Sequence, residues 1–516
     1  MATTGPTHPF YNNEVSANTR PSTASTSQHA EAGMKPSAPP ATGGHNMHPD
    51  DPDNPQNWPA ARKVYASLTS GAFAFVIAFG LTAYTTSLMG IQKAFSISMT
   101  DSILGFSLYL WGIAFAPIYV PHLSERFGRR PIYFGSIFIF SLFILGAAVS
   151  ETCTSLLITR FFAGMAGGPC LVLIEGTFAD VWSGEWTVTY YVFLTLASFI
   201  GAASGPLVGG YVDAFGGWRW TQWITLIAAA GALLLGIGMP ETYPREILRS
   251  RARRQGKTIT LAPAQSGVTI AQMATHTIIN PLKMAVAEPI VVMLSSYVGF
   301  VFAVIFQFFI TIPIVLSTTY KFTVPQVGLA FISAIIGSLL AALTAVLFDL
   351  PSSTTRPVNG RAPELEYRLR SGMFGGILIA ASLFWVAFTA SPTMHSLVPI
   401  TGTMVFIWGS VLVLTSAISY IFDAYPAPGT LAALTTAAVF RIAMAGFLPM
   451  VIVQFVMKVT GKWAVATFGF IGIGLMLIPW VLYFWGQKLR EGSRYNRGST
   501  MAQATMAKEE GVEGMN

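Results

Sequence analysis

Long apolar stretches alternate with short polar breaks along the chain from residue 64 onward. Six stretches precede a polar, basic gap at 241–287, and six follow it. Each is near the roughly 20 apolar residues that an α-helix needs to cross a bilayer. The predicted spans are 64–86, 103–122, 131–149, 155–178, 188–211, 221–239, 288–317, 325–349, 370–390, 396–422, 430–457 and 463–486. The pattern therefore predicts an all-α integral membrane protein with twelve transmembrane helices.

These spans divide the chain into five regions. Residues 1–62 are rich in Ser, Thr, Pro, Asn and His and lack a periodic apolar pattern, which predicts a disordered tail. A first six-helix bundle at 63–240, a central loop at 241–287, a second six-helix bundle at 288–486 and a tail at 487–516 follow. We expect no cleavable signal peptide, because the first apolar run starts only after this tail. Two such bundles can rock against each other around a site at the membrane midplane.

Composition supports a membrane protein and excludes several other classes. Hydrophobic residues make up 53% of the chain and charged residues only 10%, whereas soluble domains carry roughly 25% charged residues. A soluble fold of this size is excluded, because its surface would need more charge. The two cysteines, Cys153 and Cys170, show no CxxC or Cys/His spacing, so neither a disulfide framework nor a metal site is expected.

Lys and Arg residues are distributed unevenly between the two sides of the predicted membrane protein. If both tails lie on one side, that side holds 23 of the 30, five lie on the opposite side, and Arg160 and Arg441 fall inside spans. Basic residues concentrate on the cytoplasmic side of membrane proteins. We therefore expect both tails and the central loop to be cytoplasmic, and the net charge of +7 implies no nucleic-acid partner.

A short charged turn separates spans two and three. It reads Pro121-His122-Leu123-Ser124-Glu125-Arg126-Phe127-Gly128-Arg129-Arg130-Pro131. Gly128 permits a tight reversal of the chain, and Glu125 can pair with the following arginines as a latch between helix ends. The alternative is simple anchoring of the helix ends by positive charge, which the residues alone favour.

Further motifs follow in order along the chain. They are Asn54-Pro55-Gln56-Asn57-Trp58-Pro59, Arg160-Phe161-Phe162-Ala163-Gly164, Ala179-Asp180-Val181-Trp182, the segment 201–210, Pro240-Glu241-Thr242-Tyr243, Glu288-Pro289-Ile290-Val291, Pro363-Glu364, the segment 420–425 and Arg441. With the charged turn, they resemble the fungal twelve-span drug:proton antiporters of the major facilitator superfamily over nearly all of residues 54–494. Within the turn, Pro121 and Glu125 stand where the superfamily has Gly and Asp, and His122 departs from the fungal form.

The resemblance implies the major facilitator fold, in which two six-helix bundles surround a central cavity, and a transporter that is not an enzyme. It also assigns gating or structural roles to residues at helix ends. These are Glu125, Arg126, Gly128, Arg129, Arg130, Asp180 and Asp423.

Span five carries glycine at every fourth position. Gly201, Gly205 and Gly209 share one helix face, which lets a neighbouring backbone approach closely. Pro206 removes a backbone hydrogen bond and can kink the helix. Together with Gly210, these residues resemble a motif associated with antiporters. Plain helix packing explains the glycines at least as well, and packing is also how such a motif would act.

Charged residues within predicted spans are candidates for the substrate and proton pathway, because they usually face a bundle interior or a wet cavity. Arg441 lies about 11 residues into its span, or about 16 Å deep, near the midplane. Arg160 lies closer to a span end, so snorkelling to the membrane surface or a structural bond to carbonyls is the stronger interpretation there. Glu175 stands where the superfamily usually has a small residue. It could carry protons, or pair with a nearby basic group.

Polar and aromatic residues complete the pathway candidates. They fall in spans that line the cavity in this superfamily, and they are Tyr84, Thr195, Gln307, Phe308, Trp408 and Tyr420. For any single aromatic residue, packing is the commoner role.

The sequence thus predicts a proton-coupled exporter of drugs, secondary metabolites or organic acids that works by alternating access. It contains no GxxxxGK[ST] loop, so we expect the proton gradient, without a cofactor, to supply the energy. Two in-span arginines against one acidic residue favour an anionic or neutral substrate. A proton:solute symporter that imports, and a non-transporting membrane sensor, remain as alternatives. We expect a monomer in the plasma membrane.

Overall fold

The protein is built from helices joined by short turns in the part of the chain that the structure describes. This computed structural model describes residue 47 and residues 50–182, 187–256, 279–354, 365–425, 429–458 and 461–492. All of them belong to one compact unit, residues 45–516, and they include no β-strand. The predicted all-α class is confirmed.

Eighteen α-helices occur among the described residues, numbered here in chain order. They are α1 Ala60–Thr82, α2 Leu88–Phe95, α3 Met99–Ala114, α4 Ala116–Phe127, α5 Arg130–Ala148, α6 Cys153–Val181, α7 Thr187–Gly216, α8 Trp218–Gly236, α9 Pro244–Arg254, α10 Asn280–Ala287, α11 Pro289–Thr319, α12 Val324–Ala330, α13 Ile332–Thr354, α14 Leu369–Thr389, α15 Leu397–Ala424, α16 Gly429–Lys458, α17 Gly461–Leu475 and α18 Leu477–Gly492.

Most of the predicted spans coincide with helices that are long and apolar enough to cross a membrane. Ten helical segments meet that description, and the bent pair α3–α4 makes an eleventh if it crosses as one span. Predicted span six corresponds to α8, whose first residues Trp218-Arg219-Trp220-Thr221-Gln222 lower its apolar content. Its 19 residues still extend about 28 Å, close to the roughly 30 Å thickness of a bilayer core.

The first two spans differ from the sequence prediction in shape. Span one breaks after α1, where residues Ala83–Ser87 form a 3₁₀ turn before α2. Span two bends by 41° between α3 and α4, where Pro117 lacks a backbone N–H. Helix α4 continues to Phe127, past the predicted end at 122. Polar residues at a helix end near the membrane surface look like a loop in the sequence, although they continue the helix.

Several helices lie in or extend into regions that were predicted as loop or tail. Helices α9 and α10 lie within the predicted central loop 241–287, whose residues 257–278 fall outside the described part. Helix α18 continues to Gly492, beyond the predicted span end at 486. Of the predicted tails, residues 1–46 and 493–516 lie outside the described residues, and 55–57 form a 3₁₀ turn.

The transmembrane helices pack as two groups, α1–α8 and α11–α18, that meet along two seams. At one seam α7 contacts α12 and α13, and at the other α16 contacts α3 and α4. Across the second seam, the Trp111 indole donates a hydrogen bond to the Ala443 carbonyl at 3.3 Å. The two bundles therefore enclose the space between these seams.

Candidate functional site

A cavity of about 120 Å³ lies between the two bundles. Helices α1, α3, α6 and α7 line one side of it, and α11, α15 and α16 line the other. The walls are mostly aliphatic and aromatic, and the charged residues in the lining are Glu175 and Arg441. Because its walls are apolar and yet hold two opposite charges, this cavity is suited to ligand binding.

Glu175 and Arg441 face each other across the interface between the bundles. Glu175 lies on α6, six residues before that helix ends, and Arg441 lies near the middle of α16. The Arg441 Nη2 atom is 3.7 Å from Glu175 Oε1. Both residues were predicted as pathway candidates, and the structure brings them together as an ion pair that joins the two bundles.

The Arg441 guanidinium retains unused hydrogen-bonding capacity. Its Cζ atom lies 5.1 Å from the centroid of the Phe302 ring. Its Nε atom is buried and has no hydrogen-bond partner among the described residues. The 3.7 Å contact to Glu175 is longer than the roughly 2.7–2.9 Å of a direct charge-assisted hydrogen bond. The guanidinium can therefore accommodate a further acceptor.

Arg160 does not line this cavity. The side chain is completely buried on α6 between the rings of Tyr84 and Tyr109, 4.5 and 4.3 Å from their centroids. Its guanidinium donates hydrogen bonds to the carbonyls of Gly80 at 2.9 Å, Leu81 at 3.3 Å and Gly105 at 3.4 Å. Arg160 and Tyr84 therefore hold α1, α3 and α6 together. A structural bond to carbonyls is one of the two alternatives to a pathway role that the sequence favoured for Arg160.

Three other pathway candidates make their hydrogen bonds away from the central cavity in this conformation. Gln307, Trp408 and Tyr420 bond to Thr311, Thr344 and Arg490, respectively. Thr195, in contrast, lines the cavity. Polar residues of the cavity-lining spans thus point in several directions, and the sequence alone does not specify which of them face the space between the bundles.

The charged turn forms a latch whose acidic partner differs from the predicted one. Arg129 pairs with Asp180 at the end of α6, with Nε 2.5 Å from Oδ2. Glu125 contributes its backbone carbonyl, which accepts a hydrogen bond from Arg249 of α9 at 3.2 Å. Gly128, at a φ of +85°, reverses the chain. That reversal directs Arg129 toward α6 and away from the Glu125 carboxylate.

Two glycines leave the space that this latch needs. A Cβ atom at Gly176 would lie 1.8 Å from Arg129 Nη1, so the guanidinium occupies the place of a side chain on α6. A Cβ atom at Gly128 would lie 2.7 Å from Glu241 Oε2. Neither close approach is visible in the sequence, because each depends on which helices are neighbours.

Glu241, in the motif Pro240-Glu241-Thr242-Tyr243, is a further member of the latch. Its carboxylate accepts hydrogen bonds from the backbone N–H groups of Arg129 at 2.9 Å and Arg130 at 3.0 Å. It also accepts from the N–H groups of Thr242 and Tyr243. Glu241 thereby ties the segment after α8 to the start of α5. Arg126, the remaining arginine of the turn, instead places its Cζ atom 5.4 Å from the centroid of the Phe127 ring.

The second bundle repeats this arrangement. Arg368, at the start of α14, pairs with Asp423 near the end of α15, as Arg129 pairs with Asp180. Arg490 of α18 adds an ion pair with Glu366 at 2.5 Å. Asp423 was predicted to have a gating or structural role, whereas the sequence did not single out Arg368, Glu366 and Arg490. An arginine in the corresponding loop of each half was the available signal.

The glycine face of α7 packs mainly against α1. A Cβ atom would lie 2.5 Å from the Phe75 carbonyl oxygen at Gly201, 2.1 Å from Thr82 Oγ1 at Gly205 and 2.9 Å from Thr86 Oγ1 at Gly209. Gly210 instead faces the other bundle, where a Cβ atom would lie 2.8 Å from the Val324 carbonyl oxygen. Pro206 lies within α7, and its carbonyl borders Gly328 of α12. The motif therefore serves helix packing both within the bundle and at the seam.

A helical membrane protein with two bundles around a central cavity has the architecture of a transporter. The chain belongs to the Major Facilitator Superfamily, whose sequence profile matches residues 68–448. It is accordingly a multi-pass membrane transporter and not an enzyme.

Named relatives agree with this family. Polyamine transporter 4 of Saccharomyces cerevisiae is 30% identical over 496 residues, which cover 90% of this chain and 74% of that protein. Efflux pump FUB11 of Gibberella moniliformis is 29% identical over 458 residues, which cover 87% and 77%.

Solved structures share the fold at low sequence identity. The human organic anion transporter MFSD10 (TETRAN) aligns with a TM-score of 0.56 and 16% identity over 83% of this chain and 100% of that one. The E. coli xylose transporter XylE, in a partially occluded inward-open conformation, aligns with a TM-score of 0.59 and 14% identity over 82% and 98%.

Proposed function

We propose that this transporter exports small, uncharged organic molecules in exchange for protons, with Glu175 as the proton carrier. The observation that carries the proposal is the Glu175–Arg441 pair, which joins the two bundles inside an apolar cavity. Charges in such surroundings are costly unless they are paired. Any group that neutralises or separates this pair therefore changes how firmly the bundles hold together.

Protonation of Glu175 supplies such a change. A neutral carboxyl attracts Arg441 less, so α6 and α16 separate more easily. Loss of the proton restores the pair across the interface. If cargo and proton favour different orientations of the bundles, one carboxyl couples proton entry to cargo exit.

Other features support the direction of export and the orientation. The glycine face of α7 resembles a motif associated with antiporters, and FUB11 is named an efflux pump. The side with the two tails and the central loop carries 23 of the 30 Lys and Arg residues, which favours a cytoplasmic position for it. We propose that the transporter works as a monomer, because the two bundles of one chain enclose the cavity. We also propose the plasma membrane as its location, because an exporter there releases its cargo from the cell.

The charge of the cavity favours an uncharged cargo for this exchange. Counting arginines against acids favours an anion, but Arg160 lies outside the cavity, and as long as Glu175 is ionised it balances the charge of Arg441. Polyamine transporter 4 is named for a cationic cargo. A polycation would need several carboxylates, and the residues lining this cavity include one.

The decisive experiment combines metabolite profiling with reconstitution. A compound that accumulates inside cells lacking the protein, and that leaves wild-type cells, identifies the cargo. Purified full-length protein in liposomes should then move that compound against its gradient when a pH gradient is imposed. Transport that continues unchanged after a protonophore collapses the pH gradient would refute proton coupling. Depletion inside the knockout cells would instead indicate an importer, and no transport at all would indicate a sensor.

A further inference from the structure

We infer that the central cavity also binds compact apolar monocarboxylates, and that each carboxylate binds together with one proton. The carboxylate takes the place of Glu175 as the partner of Arg441, and Glu175 takes up the proton. This inference rests on the proposed role of Glu175 as a proton-binding group. It adds a second class of ligand. The exported cargo is exchanged for a proton, whereas the carboxylate and a proton bind together.

The Arg441 guanidinium has N–H donors that no described residue uses fully. Its Nε atom is buried without a partner among the described residues, and its Nη2 atom only approaches Glu175 at 3.7 Å. A free carboxylate can accept two parallel N–H bonds from one guanidinium. Glu175, attached to α6, reaches Arg441 from one direction with a single long contact. A mobile carboxylate is therefore the better partner.

Charge balance in the cavity couples a bound anion to a proton. With Glu175 ionised, the cavity lining holds one negative and one positive charge. An added carboxylate would give this apolar space a net negative charge, which is costly. A proton on Glu175 removes the excess, and the carboxylate then balances Arg441 alone. Binding of the anion and uptake of one proton are consequently linked.

Few other ionisable groups near Glu175 compete for this role. On α5, the Tyr133 hydroxyl is hydrogen-bonded to Thr177 at 3.0 Å. Arg129 and Asp180, near the end of α6, are paired with each other at 2.5 Å. The cavity-lining residues of α1, α3, α7, α11 and α15 contribute no acid or base to the described lining.

The size and wall chemistry of the cavity limit the class of ligand. The cavity measures about 120 Å³, and an engineered apolar cavity of about 150 Å³ is known to bind benzene. One ring therefore fills the space, and Phe302 and Phe306 supply aromatic walls beside Arg441. The ligand class is a carboxylate on a single ring or on a short alkyl chain.

Benzoate is the probe, and its binding to the detergent-solubilised full chain is measured by calorimetry from pH 5.5 to 8. For a one-proton linkage, affinity falls by up to about tenfold per pH unit as Glu175 loses its proton. Benzamide, the uncharged isostere, should bind at least about tenfold more weakly at pH 5.5, because it cannot pair with Arg441. Benzoate affinity that is constant over this range, or benzamide binding as tight as benzoate, overturns the inference.

Variants separate a role in proton binding from a structural role. Glu175→Gln should bind benzoate at pH 8 as tightly as wild type does at pH 5.5, with no pH dependence. Arg441→Gln should lose about tenfold or more in benzoate affinity. Glu151→Gln, an exposed glutamate in the turn before α6, is the matched control and should behave as wild type. A Glu175→Gln protein that keeps the wild-type pH profile contradicts the inference.

Failure of this inference is distinguishable from failure of the proposed function. Gradient-driven export of an uncharged cargo without benzoate binding would refute the carboxylate site and support the proposed export. A pH-dependent benzoate affinity without gradient-driven export would refute the proposed export and support the carboxylate site.

Discussion

The guanidinium of Arg129, in the turn between α4 and α5, fills the place that a side chain at Gly176 of α6 would take: a Cβ atom at 176 would lie 1.8 Å from Arg129 Nη1. The missing side chain lets the guanidinium reach Asp180, which follows four residues later on α6. Glu175, the next residue back, faces the central cavity. The end of α6 thus carries the latch and the cavity carboxyl side by side, so a shift of this helix moves both.

The first prediction is that Gly176→Ala breaks the Arg129–Asp180 pair. The added methyl must displace the guanidinium, and we expect the free energy of unfolding to fall by about 1–3 kcal/mol. Transport should fall to the level of an Asp180→Asn protein. Gly135→Ala is the control, because a Cβ atom there has no neighbour within 4 Å. Thermal unfolding and liposome transport measure both effects, and equal behaviour of the two alanine variants would count against the latch.

The second prediction is that Glu175→Gln uncouples transport from the proton gradient. The amide cannot lose a proton, so Arg441 no longer meets a charge that changes during the cycle. We expect cargo to move only down its own concentration gradient in liposomes, with no response to an imposed pH difference. Gradient-driven accumulation by Glu175→Gln at the wild-type rate would eliminate Glu175 as the carrier, and Glu151→Gln serves as the control.

Much of the fold was predictable from the sequence, because apolar length and the glycine spacing are local properties. The motifs at Gly128 and Asp423 also predicted where α5 begins and where α15 ends. The break of α1 after Thr82 was missed, since the apolar pattern continues through the 3₁₀ turn. The polar residues before Phe127 also continue helix α4, although their composition predicts a loop.

The site was predictable in its residues but not in its pairings. Glu175 and Arg441 were predictable because charges inside spans are rare. The sequence of each span, however, does not specify which other helices it faces. The same limit applies to Arg160, whose carbonyl partners come from α1 and α3. Contacts between distant parts of the chain decide whether an in-span charge is structural or faces the cavity.

The third prediction contrasts the two arginines through Arg160→Lys. An ammonium cannot reproduce the fork of N–H groups that reaches three carbonyls, and each hydrogen bond lost from the charged guanidinium costs about 1.5–3 kcal/mol. We expect a lower unfolding temperature and less folded protein, with an unchanged cargo affinity per folded molecule. Arg219→Lys, at an exposed position in the first turn of α8, is the control. A selective loss of cargo affinity in Arg160→Lys would argue for a pathway role.

The fourth prediction concerns close packing between α7 and α1. A methyl at Gly205 would lie 2.1 Å from Thr82 Oγ1 and 2.6 Å from the Ala83 backbone nitrogen. Because the backbone there cannot withdraw freely, we expect Gly205→Ala to lower the free energy of unfolding by about 1–3 kcal/mol. Gly231→Ala meets nothing within 4 Å and should be neutral or slightly stabilising. Equal unfolding temperatures for the two variants would show that α7 and α1 do not pack this closely.

The fifth prediction concerns Tyr425, just after α15, which donates a hydrogen bond to the buried Glu288 carboxylate at 3.3 Å. Tyr425→Phe removes the donor, and we expect a loss of about 1–3 kcal/mol at pH 7. Burial and the nearby Glu288 charge raise the pKa of the Tyr425 phenol, so the folded protein holds this proton more tightly than the unfolded chain. That stabilisation is complete below the ordinary phenol value near pH 10 and is lost as the pH rises above it. The difference in the free energy of unfolding between wild type and Tyr425→Phe should therefore shrink at strongly alkaline pH. The control Tyr211→Phe, at an exposed position, should have the wild-type free energy of unfolding at pH 7. A gap that widens with rising pH would mean that the phenol does not donate to Glu288.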